Sequence, residues 1–451
     1  MALRYGVVGF GCAGYHGIKA LRDSGYGGEI HVFSDKWDPP ANPMLTTYYT
    51  AGKIPYRGMF PFGDLAAVVK KYDLKLRGGE AVKAIDYDGR RLFNARGEAF
   101  GYDKLLLATG GKAVLPAIPG AAGPEVYCMR QVEDAVRLKE RLERGGVGKA
   151  IVAGASMVGI KVVELLRQRG IDCVLADLAP VIFPLAALPE TADIIASRLA
   201  DRGVKPRFGQ GIEAIEAVEA VGAVGAAGAV GAAGPVGAGA RLGEKAKLGG
   251  KLNVRYTDGT GEACDLVVFC VGTRADIGFV GQALKVGKGI VVDRHMRTSQ
   301  ENVYAAGDCC EGLNRQSGDT QIIGLWANAA GQGKIAGENM AGKETLWGGN
   351  IPHNITHFFN MDFIAFGDNR LPGERFLWRS PDGGTTLNVT LRDGKPVCIN
   401  ILDNCGISGI LKAGFLKGIS GENSPVGWNG QVRLRERNVP AWISERLGLD
   451  A

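Results

Sequence analysis

The sequence predicts a mixed α/β protein: two strand–turn–helix units built on parallel sheets, followed by a smaller α+β domain. Three observations predict it. A pattern of apolar strand, glycine-rich turn, helix, second strand and terminal acid occurs twice, with first glycines at Gly9 and Gly154. Each copy is followed by a further apolar run that enters a glycine turn, at residues 102–110 and 265–272. Beyond Ile351 the pattern changes to short alternating strands.

The first unit begins with a buried-strand pattern at Arg4–Val8. Gly9-Phe-Gly11-Cys-Ala-Gly14 is the turn, residues 15–24 the helix, and residues 29–34 the second strand, closed by Asp35. Gly9 permits a tight turn, Gly11 lets the backbone approach a pyrophosphate, and Gly14 lets helix and strand pack closely. The helix then offers its positive end to the phosphates. Asp35 lies 26 residues after Gly9, in range for ribose hydroxyls. The second unit runs through a strand at residues 149–153, the turn Gly154-Ala-Ser156-Met157-Val158-Gly159, a helix at 160–169 and a strand at 171–176, closed by Asp177. Ser156 stands where the middle glycine would be. Two such units imply two nucleotides, or one shared across two halves.

Later come Gly289-Ile-Val-Val-Asp293, Asn302-Val-Tyr-Ala-Ala-Gly307-Asp308 and a helical stretch at 325–339. The alternating strands fall at 357–366, 374–379, 385–391 and 396–401, with an apolar helix at 407–418. These features divide the chain into a discontinuous first domain (1–118 and 289–348), a second (119–288) and a C-terminal α+β domain (351–451). Residues 217–240 hold only Ala, Val and Gly apart from Glu219 and Pro235, and read as an expanded loop without chemistry. This block is the expected source of the glycine excess, 69 of 451 residues.

Composition excludes other classes. A net charge of +6 with 22% charged residues fits neither a disordered acidic tail nor a basic nucleic-acid arm. Nine cysteines without CxxC or Cys/His spacing provide neither a disulfide framework nor a zinc or iron–sulfur site, so no metal ligands are expected. No signal peptide or membrane span is legible, and the expectation is a cytoplasmic protein with reduced thiols.

These motifs resemble those of the FAD-dependent pyridine nucleotide–disulfide oxidoreductase superfamily. Within it the likeness is to NADH:rubredoxin and ferredoxin reductases and the flavin part of nitrite reductase, with two Rossmann-like domains. Gly9 to Gly14 looks like the FAD fingerprint, residues 42–52 like the segment beside the isoalloxazine, and 302–308 like the motif whose Asp binds the ribityl chain. The resemblance implies FAD contacts from Gly9, Gly11, Cys12, Ala13, Gly14 and Asp35, and from Val82, Thr109, Gly110, Asp308, Trp326 and Ala327. It implies NAD(H) contacts from Gly154, Ser156, Met157, Val158, Gly159, Asp177 and Gly272. Near the flavin it places Thr47, Lys161 and Trp326. Family members commonly carry Glu where this chain has Lys161. The alternatives are a lysine that changes the flavin potential and a surface lysine on a helix. Trp326 is either a flavin-stacking group or a core tryptophan.

Residues 35–56 contain no Cys, so a thiol relay of the superfamily's disulfide reductases is not expected. Hydride passes from nicotinamide to flavin without a protein acid or base, and no catalytic His is apparent. Single-electron release to a separate iron–sulfur protein or subunit is therefore the favoured outcome, as a homodimer or part of a hetero-oligomer. An NADH oxidase, a peroxide or coenzyme A–disulfide reductase, and a non-catalytic flavoprotein are the alternatives. Asp177, with no Arg at residues 176–182, favours NAD(H) over NADP(H). Cys309 and Cys310 are adjacent and read as small packed residues rather than a redox pair.

Overall fold

The computed structural model describes residues 3–218, 252–420 and 439–446. Two five-stranded parallel sheets carry the two units. In the first, the order is Val303–Ala305, Lys104–Leu107, Arg4–Val8, Glu29–Phe33, Leu74–Arg77. In the second, it is Val204–Phe208, Asp172–Asp177, Lys149–Ala153, Leu266–Phe269, Val126–Cys128. Each central strand is buried after its first residue because one face packs on helices and the other on a small antiparallel sheet. A three-stranded antiparallel sheet interrupts each unit before its fourth strand, at residues 82–101 and 212–264.

The first nucleotide helix spans Cys12–Asp23, starting three residues before the expected residue 15. Glycine lowers helix propensity, which hides this start. Tertiary packing overrides it. A Cβ on Gly14 would sit 2.2 Å from the Gly9 carbonyl oxygen, and one on Gly333 2.2 Å from that of Ala13. The helix Trp326–Met340 therefore crosses Cys12–Asp23 at backbone contact. The second nucleotide helix likewise begins early, at Met157.

The glycine excess is not local. Residues 217–240 hold 7 of the 69 glycines, whereas 24 glycines among the described residues take positive φ and turn the chain elsewhere. The low-complexity block itself falls, from residue 219 on, outside the described residues. Its flanks are in register: Ala217 pairs with Leu252 across adjacent antiparallel strands.

The C-terminal domain is a five-stranded antiparallel sheet in the order His353–Phe358, Met361–Gly367, Lys395–Leu402, Thr386–Arg392, Glu374–Arg379. The single strand expected at 357–366 is a hairpin. Phe359 and Asn360 both adopt left-handed backbone, φ +47° and +60°, and so make the turn without a glycine to mark it. One face of the sheet (Leu387, Val389, Leu391, Ile399, Ile401) packs under the helix Ser408–Ser420. The other face is also buried, and it carries Asn388 and Asn400.

Candidate functional site

The two glycine turns are built alike. Gly9 has φ +99° and Gly154 φ +109°, and a Cβ on either would collide with the carbonyl that ends the neighbouring strand, Ala108 at 2.3 Å and Cys270 at 2.4 Å. Glycine is required at both. The turns differ at the middle position. A Cβ on Gly11 would meet nothing within 4 Å, and the helix that follows has no side-chain cap. Its first N–H groups are left facing open space, which suits a pyrophosphate. In the second turn Ser156 caps its own helix, accepting from the Gly159 N–H at 3.2 Å and donating to the Cys270 carbonyl at 2.9 Å.

What brings the two turns together is the strand pair Gly111–Ala113 with Thr273–Ala275. Gly110 and Gly272 precede these strands, both at positive φ and both facing open space. They are tied across the junction: the Val114 N–H donates to the Gly272 carbonyl and the Asp276 N–H to that of Gly110, each at 3.0 Å. Thr109 Oγ1 donates to the Asp276 carbonyl at 2.7 Å. Open space at Gly11, Gly110 and Gly272, with an uncapped helix end beside it, fits two extended dinucleotides meeting at this junction.

Asp308 lies beside the first turn, 13% exposed, and pairs with Arg130 Nη2 at 2.6 Å. No motif in the sequence marks Arg130. It lies 178 residues from Asp308, outside both glycine motifs. Cys12 Sγ donates to the Trp326 carbonyl at 3.5 Å, so Gly11–Gly14 and the start of Trp326–Met340 share one wall. Trp326 is half-buried. Its ring lies face-on to Phe62 at 5.7 Å, and Phe62 stacks on Tyr15 at 3.8 Å. Ala327 is exposed one residue further, and Val82 begins a buried strand end.

The acids of the two units are not in equivalent register. The N–H of Gly9 bonds the Phe33 carbonyl as that of Gly154 bonds Ala176, so Ser34 matches Asp177. Asp35 is one residue beyond and exposed. Asp177 accepts from the Ala155 N–H at 2.6 Å and from the Ala179 N–H at 2.8 Å, which binds the acid to the glycine turn itself. Val158, Leu178 and Val271 are exposed apolar side chains next to Gly159, Asp177 and Gly272, while Met157 is half-buried.

Lys161 is not a surface lysine. Its side chain is 12% exposed and pairs with Glu164 at 2.5 Å. Its ammonium also donates to the His357 carbonyl of the C-terminal hairpin and lies 5.2 Å from the centre of the Tyr48 ring. Tyr48 belongs to the short helix Thr46–Thr50, where Thr47 is buried and bonds within its own turn.

All nine cysteines are free thiols. Burial pushes the Cys12 thiol up to about 12, and burial raises Cys309 and Cys310 as well. Cys309 donates to the carbonyls of Leu107 and Ala306, as a small packed residue does. No group of His, Cys, Asp or Glu among the described residues could hold a metal ion. None of their helices is long and apolar enough to cross a membrane.

Two parallel sheets, each with a glycine turn at a helix start and joined at Gly110 and Gly272, define a two-dinucleotide flavoprotein oxidoreductase that binds FAD and NAD(H). The chain belongs to the pyridine nucleotide-disulphide oxidoreductase family, whose pattern matches residues 3–333. It is 30% identical over 265 residues to an NADH oxidase of Methanocaldococcus jannaschii, a match covering 58% of this chain and about half (51%) of that relative. It is 26% identical over 373 residues to the NADH-dependent phenylglyoxylate dehydrogenase subunit epsilon of Aromatoleum evansii, covering 82% of this chain and 80% of that one. In fold it is similar to a ferredoxin reductase from Rhodopseudomonas palustris, with a TM-score of 0.78 at 22% identity, covering 91% and 93% of the two chains.

Proposed function

We propose that this protein takes electrons from NADH and delivers them singly to an iron–sulfur protein or subunit, as the nicotinamide-facing flavoprotein of a larger cytoplasmic oxidoreductase. The observation that carries the reading is the absence of an available thiol beside the site. Where the superfamily's disulfide reductases place their redox cysteines, this chain has the threonines of Thr46–Thr50, and its thiols in the first turn and beside Asp308 are buried with raised pKa. Disulfide and peroxide chemistry therefore lacks its nucleophile. Bound FAD supplies the conversion between a two-electron nicotinamide and one-electron carriers.

The residues have separate tasks. The helix Cys12–Asp23 and the paired Asp308 and Arg130 hold the flavin nucleotide. The helix Met157–Arg167, capped by Ser156, holds the nicotinamide nucleotide. The Gly110–Gly272 junction sets the two against each other. Asp177 favours an adenosine 2′-hydroxyl and repels a 2′-phosphate, so NADH is the expected donor. The likeness to a subunit of an NADH-dependent phenylglyoxylate dehydrogenase supports a 2-oxoacid-oxidising complex as the setting.

The test is anaerobic reduction by NADH in a stopped-flow instrument, followed by mixing with a ferredoxin or rubredoxin. Reoxidation should be faster with the iron–sulfur protein than with buffer. Rapid reoxidation by oxygen or coenzyme A disulfide, with none by any iron–sulfur protein, would support the oxidase or disulfide-reductase alternative instead. Faster turnover with NADPH than with NADH would overturn the donor assignment.

A further inference from the structure

We infer that the C-terminal sheet is a brace for the NAD(H) site, and that Asn400 is a positioning residue acting on nucleotide affinity through the loop at residues 178–188. The inference rests on the assignment of the second glycine turn to NAD(H).

The loop starts at Asp177 and returns to the glycine turn before it reaches the sheet. The Phe183 N–H donates to the Ala155 carbonyl at 2.9 Å, and Asp177 accepts from the Ala155 N–H. Both backbone polar groups of Ala155, in two successive peptide units of the phosphate turn, are thus held by this segment. Phe183 holds φ +52°, a left-handed conformation that costs a bulky residue energy and persists only where its surroundings impose it. The sheet imposes it. The Phe183 ring stacks on Phe363 at 5.0 Å and meets Phe358 edge-on at 5.7 Å.

Directly after Phe183 the loop backbone is read by asparagines of the C-terminal domain, Asn400 in the sheet and Asn369 in the loop after Met361–Gly367. Asn400 is 1% exposed. Its Oδ1 accepts from the Leu188 N–H at 2.6 Å and its Nδ2 donates to the Ala186 carbonyl at 2.9 Å. Asn369 donates to the carbonyls of Pro184 and Ala187 at 3.0 and 2.9 Å. Asn388, opposite Asn400 in register, donates to Glu190 and Thr191. An isolated sheet would place apolar residues on a face that it buries. Here amides stand there, and their partners are the backbone of one loop and the first turn of the helix after it.

A second anchor lies on the other side of the turn. Lys161 and Glu164 of Met157–Arg167 hold the hairpin tip through the His357 carbonyl and the Phe359 N–H. The sheet therefore grips both the helix that faces the phosphates and the loop that begins at Asp177. If the loop leaves the sheet, the Ala155 turn loses its support, and a nucleotide that binds only the docked form sees its affinity reduced by the docked fraction. At saturation the bound protein is docked, and turnover is unaffected. The first sheet, which faces FAD, makes none of these contacts.

The experiment uses the full-length, FAD-loaded protein with NADH and a dye acceptor. Asn400→Leu keeps the branched shape, with two slightly larger methyl groups, and leaves the Leu188 N–H and the Ala186 carbonyl unpaired. It should raise KM for NADH about tenfold, with kcat within about twofold of wild type and FAD content unchanged. Asn369→Ala, a half-buried position, removes the Pro184 and Ala187 bonds. It decides the question if Asn400→Leu does not fold, and should move KM in the same direction. An unchanged KM in the folded variants, with only a lower melting temperature, would overturn the brace. A wild-type protein that NADH does not reduce would overturn the nicotinamide assignment and the brace with it.

Discussion

Replacing Lys161 by Met tests whether the charge pair at the junction of the second unit and the C-terminal hairpin holds the two together. Lys161 and Glu164 are 12% and 7% exposed and 2.5 Å apart. With the ammonium gone, the Glu164 carboxylate keeps only the Phe359 N–H at 2.9 Å. Removing one member of a buried pair costs about 3–5 kcal/mol, because the survivor stays desolvated and unpaired. The residual exposure of Lys161 places the expected loss at the low end, about 3 kcal/mol. For a cooperative unit of about 150–250 residues that corresponds to a fall in Tm of about 6–12 °C. The double variant Lys161→Met/Glu164→Gln removes both charges and retains an acceptor for the Phe359 N–H, so it should recover most of the loss. Calorimetry of the FAD-loaded protein reads both values. A double variant that melts no higher than the single would refute the pairing as the source of the effect.

Asp308→Ala should lower FAD content after gel filtration, measured by absorbance, because Arg130 is left as an unpaired, largely buried cation beside the first turn; full flavin retention would count against the assignment. Replacing residues 219–251 by a short Gly/Ser turn should leave FAD content and NADH-to-dye activity within about twofold of wild type, since Ala217 and Leu252 already pair as neighbours. His353 is pushed down from 6.5 to about 4, first by burial and then by Lys412. Its folded pKa lies below the unfolded one, so this contribution to stability is complete above about pH 6.5 and is lost as pH falls toward 4. His353→Gln should flatten the Tm-against-pH curve in that window, and an unchanged slope would show that other groups set it.

The sequence by itself determined both nucleotide units, their order and the change of architecture near Ile351. These signals are local. A glycine-rich turn, a mostly apolar strand before it and an acid at or just past the end of the next strand are each written in a few neighbouring residues. The helix start at Cys12 was not legible, because Gly14 and Gly17 read as helix breakers until Gly333 and Gly337 are seen packed against that helix. Nor was the Phe359–Asn360 turn, whose positive φ has no glycine to announce it. Tertiary structure alone decided the rest. Arg130 meets Asp308 across 178 residues. Lys161 finds neighbours on two distant segments, at Tyr48 and His357. Asn388 and Asn400 look, in an alternating strand, like residues for a solvent face. Only the fold shows that this face is buried and that the amides serve the backbone of a distant loop. Pairings of this kind carry no local propensity, because their energy arises only when segments far apart in the chain exclude water between them.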